Sequence, residues 1–335
     1  MDIGTGLFTT QRRPDDDRSA TAVHGEMLHL ARTADEAGLD SVWVSEHHFT
    51  EDDYLAATMP ALGAIAAATD EVEIGTCIAL APLYDPVRLA EDAAALDLLS
   101  DGRMTLGLAI GSNPREFEQF GVDPDDRVAH LEEAMAVCRG AWSAGPLDED
   151  PEFHDVSPDV TVTPKPDGDL PLMLGGSARP AVRRAAREAD AWCAPSSLSV
   201  EGVRKRVEDI RNVREQEGLD GDFQVYVLQH GWVGESREAA WEAMKEGYLY
   251  IQRRYAEIFS GESVDELDDD RVEELREQAI FGSPEQVVDD LATYRDALGD
   301  DVHFILRQYH PGVGTEAMAE SIRRCGDEVV PYFAD

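Results

Sequence analysis

The chain is poor in lysine, with only Lys165, Lys205 and Lys245 among its 335 residues. Arginine supplies the rest of the 29 basic residues, which face 69 acidic ones for a net charge of −40. That balance argues against nucleic acid and anionic membrane as partners, because both are held by basic faces. Cysteine is scarce too: Cys77, Cys138, Cys193 and Cys325 stand far apart, with no CxxC pair and no zinc-ligand spacing. Buried thiols are expected, not a disulfide framework. No apolar run approaches the roughly 18 residues that would suggest a membrane span. The start, Met1-Asp2-Ile3-Gly4, lacks the basic and apolar regions of a signal peptide, so a cytoplasmic location is expected.

Acid is what the chain has in excess, and it is dispersed. Asp and Glu are spread through amphipathic helical segments at positions that should face water, not gathered in a tail. Such a surface repels itself in dilute buffer, whereas molar salt screens it within a few ångströms. The composition therefore predicts a halophilic protein. Its 43% hydrophobic content is ample for a core.

Short β-rich runs recur along the chain, near 3–8, 41–45, 72–78, 104–110, 170–175, 189–194, 223–231 and 302–309. Between them lie segments with apolar residues three and four apart, as in Val23, Met27, Leu30 and Ala34, or Met318, Ile322, Cys325 and Val329. This spacing gives each helix one apolar stripe. Regular alternation of strand and helix predicts a parallel sheet with right-handed crossovers. Eight units predict an α/β chain folded as one (β/α)8 TIM barrel over residues 1–335. A doubly wound sheet would want GxGxxG opening a helix; Gly4-Thr5-Gly6 lies inside the first strand instead. Two insertions stand out: residues 144–166 before strand five, and 259–282 between strands seven and eight. The second contains the acidic run Asp265–Asp270 and is either a lid or wall of the substrate pocket or a solvated acidic loop with no role. Ser283-Pro284-Glu285-Gln286 then restarts a helix with a capping box.

Barrel enzymes carry their chemistry at the C-terminal ends of the strands. The second strand runs into Glu46-His47-His48-Phe49, and two histidines with a carboxylate there suit proton transfer or metal binding. The metal reading fares poorly. Amidohydrolase-type barrels carry HxH after strand one, Lys at strand four and His after strands five and six, and this chain has none of them. No catalytic metal is expected. At the same rim, His230, Arg307 and His310 lie at the ends of strands seven and eight and are candidates to contact substrate.

The most informative stretch runs from Val72-Glu73-Ile74-Gly75-Thr76-Cys77-Ile78 through Asp85-Pro86-Val87-Arg88 and Leu99-Ser100-Asp101-Gly102-Arg103 to Gly111. With Glu46-His47-His48-Phe49, Arg115-Glu116-Phe117, Leu174-Gly175-Gly176-Ser177 and Val330-Pro331-Tyr332, it closely resembles the bacterial luciferase-like monooxygenase superfamily. Each motif is modest alone; their order and spacing carry the resemblance over nearly the whole chain.

The resemblance implies a reduced flavin, FMN or the deazaflavin F420, in the barrel mouth. It implies that His47 is catalytic, as a general base or as a stabiliser of oxygen chemistry at the flavin ring, while His48 packs or orients. It places Glu46, Cys77, Ile78, Ala109, Asn113, Gly175, Gly176, Ser177 and Arg179 at the cofactor. The Cys77–Ile78 step matches a point where relatives carry a cis peptide, and Gly175-Gly176-Ser177-Ala178-Arg179 matches the phosphate site. Where the luciferases carry a reactive cysteine and a phosphate-binding arginine, this chain has Ala109 and Ile110, so light emission is not implied. The expected function is a two-component monooxygenase using reduced FMN and O2 on a small organic substrate. An F420-dependent dehydrogenase or reductase and a non-catalytic flavin-binding protein are the alternatives. A separate flavin reductase and a homodimer or larger homo-oligomer are the expected partners.

Overall fold

The computed structural model describes residues 1–147, 152–154, 156–157, 160–260, 264 and 266–334, save for the side chains of 259 and 260. Eight parallel strands form the sheet: β1 Asp2–Phe8, β2 Ser41–Val44, β3 Glu73–Thr76, β4 Met104–Ala109, β5 Leu172–Gly175, β6 Ala191–Ala194, β7 Gln224–Val233 and β8 Val302–Arg307. Each pairs with the next, and β8 pairs with both β7 and β1, so the sheet closes into a (β/α)8 barrel. Around it run α1 Ala20–Glu36, α2 Thr58–Ala66, α3 Pro86–Leu99, α4 Pro114–Phe120, α5 Arg127–Trp142, α6 Arg179–Glu188 and α7 Val200–Glu217. The ring is completed by α8 Arg237–Ser260, α9 Asp269–Gln278, α10 Pro284–Leu298 and α11 Thr315–Arg324. None of the described helices is long and apolar enough to cross a membrane.

The helices start where their first residues allow. Asp85 accepts from the amides of Val87 and Arg88 ahead of Pro86, and Ser283 and Gln286 form the reciprocal box at α10. Their apolar stripes pack on the outside of the strands, where Ile3, Val42, Ile74, Leu106, Leu172, Val227 and Phe304 belong to the main core.

Alternate residues point into the barrel and form a separate small cluster, with Leu7, Trp43, Cys77, Met173, Cys193, Leu228 and Ile305. Its lower end is polar. Ser41 Oγ lies 2.7 Å from both His303 Nε2 and Trp43 Nε1, and Tyr226 donates to Glu73 at 2.9 Å.

Three expectations need correction. The third strand does not run unbroken to Ile78: pairing stops at Thr76, the Cys77–Ile78 peptide is cis, and Ala79–Leu80 pairs separately with β4. Strand seven continues to Val233 because its last residues find a partner in Ile280–Gly282. The segment at 259–282 holds a helix and this short strand, with buried Leu275 of α9 accepting from Tyr248 through its carbonyl at 3.2 Å. Residues 261–263 and 265 of it, the first residue of the acidic run included, lie outside the described residues. So do 148–151, 155, 158 and 159 of the earlier insertion, whose described part is tied to α5. There Phe153 stacks on His130, and the Phe153 amide and His154 Nδ1 reach Glu133 at 2.9 and 2.6 Å.

Candidate active site

Chain direction brings the C-terminal ends of all eight strands to one mouth. After β2 the chain leaves the sheet, and Glu46 and His47 are buried at its edge. His47 Nδ1 meets Glu116 Oε1 at 3.0 Å, and the same oxygen accepts the amide of His48 at 2.8 Å. Glu116 sits in the first turn of α4, a helix that Asn113 caps by accepting from Arg115 at 3.1 Å. With Nδ1 held by a carboxylate, the ring is fixed in one orientation and Nε2 is its open nitrogen. The ring also meets Tyr54 and Tyr255 edge-on, at centroid distances of 4.9 and 5.8 Å.

Glu46 is differently occupied. One oxygen meets His48 Nε2 at 2.7 Å; the other accepts from Tyr84 at 2.6 Å and from the Leu80 amide at 3.3 Å. It braces the turn after β3, and burial in that setting drives the Tyr84 phenol up from its ordinary value. His48 packs against Phe49 and Phe120.

Cys77 and Ile78 stand beside this brace. Cys77 Sγ touches Cys193 Sγ at 3.5 Å across the barrel interior, although 116 residues separate them. Beyond them comes the turn after β5. A Cβ on Gly175 would lie 2.2 Å from Ile78 Cδ1, so a side chain there would have to displace the tip of Ile78, and Gly176 has φ +115, which L side chains rarely adopt. Ala178, the N-cap of α6, caps no backbone amide through its side chain. Arg206 donates to the Ser177 carbonyl at 2.9 Å. A cleft of about 400 Å3 opens here, lined by Ser177, Arg179, Lys205, Arg206, Glu208 and Asp209. Arg179 is 70% exposed and bonded to Asp209 at 3.2 Å, so it faces that carboxylate and not the barrel mouth. Free helix amides with guanidinium groups nearby are a donor set that fits a phosphate. Ala109 ends β4 between the two regions, beside Leu80.

The β7–β8 side of the mouth is enclosed by α8. His230 and Arg307 are register partners on β7 and β8. Tyr248 packs on His230 at 4.4 Å and Gln252 reaches its Nε2 at 3.3 Å. Arg307 is 1% exposed and donates to Tyr255 at 3.2 Å, and Tyr255 in turn meets the Tyr54 hydroxyl at 2.9 Å. Burial pushes His230 well below its usual value and His310 down to about 3, so both are neutral near pH 7. His310 turns Nε2 to the Gly231 carbonyl at 3.2 Å and packs against Trp232 and α8.

The structure thus draws Cys77 and Ile78 to one side of the mouth and His230 with Arg307 to the other, with His47 between them and joined to Arg307 through Tyr255. The phosphate-suited turn lies at its edge. Sequence reasoning missed Tyr54, Tyr84, Arg206 and the role of Glu116. Only the acidic residue just inside the Asn113-Pro114 helix start offered a signal for Glu116.

The sequence profile of luciferase-like monooxygenases matches residues 3–301. The chain belongs to the luciferase-like monooxygenase family. Among curated members, the oxygenase component of flavin-dependent trigonelline monooxygenase from Acinetobacter baylyi is 26% identical over 98% of this chain and 95% of that one. Monooxygenase RslO1 from Streptomyces bottropensis superposes with a TM-score of 0.89 at 26% identity, covering both chains fully. An F420-dependent secondary alcohol dehydrogenase shares the fold at a TM-score of 0.77 and 19% identity, over 100% of this chain and 99% of that one. The luciferase-like chain described here is accordingly a flavin-dependent oxidoreductase built as a TIM barrel.

Proposed function

We propose that this luciferase-like enzyme is the oxygenase component of a two-component monooxygenase. It would receive reduced FMN from a separate reductase and oxidise a small organic substrate with O2. The observation that carries the reading is the His47–Glu116 pair, a proton-handling group held in one orientation beside the Cys77–Ile78 turn. The end-to-end likeness to an oxygenase component supports it.

Bound reduced FMN supplies two electrons, so that one oxygen atom enters the substrate and the other leaves as water. The chain supplies the rest. Ser177, Arg206 and the free amides of α6 would hold the phosphate, and Ile78 and Ala109 would lie against the ring. His47 Nε2 would take or give the proton that the oxygen transfer requires, within the reach of general acid–base catalysis. Tyr54 and Tyr255, edge-on to the imidazole, would line that side of the site with aromatic surface and limit the water that promotes wasteful loss of peroxide.

The test is oxygen consumption by the protein loaded with reduced FMN, set beside anaerobic turnover with reduced F420. Oxygen-dependent oxidation of reduced FMN, with more peroxide released by His47→Ala, is expected. Turnover with F420 and inert behaviour toward O2 would overturn the reading.

A further inference from the structure

The β7–β8 side of the mouth holds a buried cation with no counter-ion among the described residues. Arg307 is 1% exposed, and among the described residues no carboxylate comes within ion-pair distance of its guanidinium. Tyr255 accepts from one terminal nitrogen, while Nε and the other terminal nitrogen have no hydrogen-bond partner. Unsatisfied neighbours accompany it: the Tyr309 hydroxyl and Nδ1 of both His230 and His310. A guanidinium stripped of water and left unpaired is costly, and a fold keeps such a group where a ligand repays the cost. Arginine presents parallel N–H groups that match a carboxylate.

Position decides between ligand parts. In the closed barrel β8 lies four strands from β4, so Arg307 stands across the mouth from Ala109 and from the turns after β3 and β5. Those turns carry the features suited to the cofactor. The tyrosine relay, Arg307 to Tyr255 to Tyr54, ends against the ring of His47. An acid group on Arg307 would thus leave the body of a small molecule among Tyr54, Tyr255 and His47. Tyr255 is the more exposed member of the Arg307–Tyr255 pair and would yield its place to the entering oxygens.

We propose that Arg307 is the specificity-determining residue of this site and that the substrate is a small organic carboxylate anchored on it. The inference rests on the oxygenase reading for the word substrate, yet its test needs no turnover. Benzoate, nicotinate and hexanoate would be titrated against the full-length protein by calorimetry at one KCl concentration, beside benzamide, nicotinamide and hexanamide. At least one carboxylate should bind about tenfold or more tightly than its amide, as a charge-assisted pair implies. Arg307→Met should erase that preference, and Arg307→Lys should keep part of it. Equal binding of every acid and its amide to the wild-type protein would overturn the proposal. A second arm compares oxidised with reduced FMN. If Arg307→Met weakens only reduced FMN and leaves carboxylates unaffected, the guanidinium serves the cofactor and the proposal falls. The thermal midpoint of ligand-free Arg307→Met gives a third readout. Removing an unpaired buried charge should leave it level or raise it, whereas a collapse would make Arg307 a structural residue and overturn the assignment. Carboxylate preference without oxygen-dependent FMN oxidation would leave this inference standing and remove the monooxygenase reading; the reverse result would do the opposite.

Discussion

His47 and Glu116, 69 residues apart in sequence, share a 3.0 Å contact that fixes the imidazole at the barrel mouth. Glu116 is itself buried, and its second oxygen has no hydrogen-bond partner among the described residues. Glu116→Gln keeps the shape but removes the charge-assisted bond. Turnover should fall roughly ten- to hundredfold, the kinetic equivalent of losing about 1.5–3 kcal/mol. Affinity for FMN should hardly move, because the phosphate contacts lie elsewhere. Separate measurement of kcat and flavin binding checks this, and an equal loss in both would place Glu116 in the scaffold.

The turn at Gly176 gives a second prediction. Gly176→Val forces a β-branched residue to φ +115, and Arg206→Ala frees the Ser177 carbonyl. Both should weaken FMN by about tenfold or more while leaving riboflavin nearly unchanged. Arg179→Ala should do less, since that side chain is largely exposed and bonded to Asp209. Fluorescence titration with the two flavins distinguishes these outcomes, and parallel losses for both would remove the phosphate from this turn.

Glu73, at the closed end of the barrel, predicts a pH effect. Burial raises its carboxyl to about 7 despite hydrogen bonds from Thr105 and Tyr226. A folded-state value above the unfolded one gives stability that is complete below about 4.5 and lost as pH rises through about 7. Neighbouring His303, pushed down to about 3 by burial, acts in the opposite sense between about 3 and 6.5. The difference between Glu73→Gln and the wild type isolates the carboxyl. It should shift in the variant's favour across pH 4.5–7, by at most on the order of 3 kcal/mol. Denaturant unfolding at pH 4.5, 6 and 7.5 measures it; a constant difference would show that Glu73 ionises as freely in the fold as outside it.

The net charge of −40 predicts salt-dependent stability. Acidic side chains such as Glu71, Asp123, Glu215, Asp220 and Glu235 are exposed or half-exposed on helices and turns around the barrel. Their mutual repulsion opposes the compact state until salt screens it. The thermal midpoint should climb from dilute buffer to molar KCl, and a flat profile would remove the halophilic reading.

The barrel was legible in the sequence because local physics repeats: period-two strands and single-stripe helices need only near neighbours to declare themselves. The helix starts at Asp85 and Ser283 were legible for the same reason. Residues at the ends of strands, His47 and Arg307 among them, could be named because a parallel barrel gathers those ends at one face. Long-range placement was another matter. The Cys77–Cys193 contact, the Tyr255–Tyr54 bond and the Glu116–His47 pair join residues 116, 201 and 69 positions apart, and nothing local encodes such separations. Spaced with Met244, Ile251 and Ile258, Tyr255 reads in sequence as one more apolar residue on a helical stripe, yet α8 leans over the mouth and sets the phenol against Arg307. Arg179 reads as a phosphate ligand, but the packing of α6 beside α7 brings Asp209 to its guanidinium. Sequence determined the strands, the helices and the end of the barrel at which chemistry occurs. Tertiary structure decided which charges are paired and which are left buried without a partner, because pairing depends on where separate elements meet.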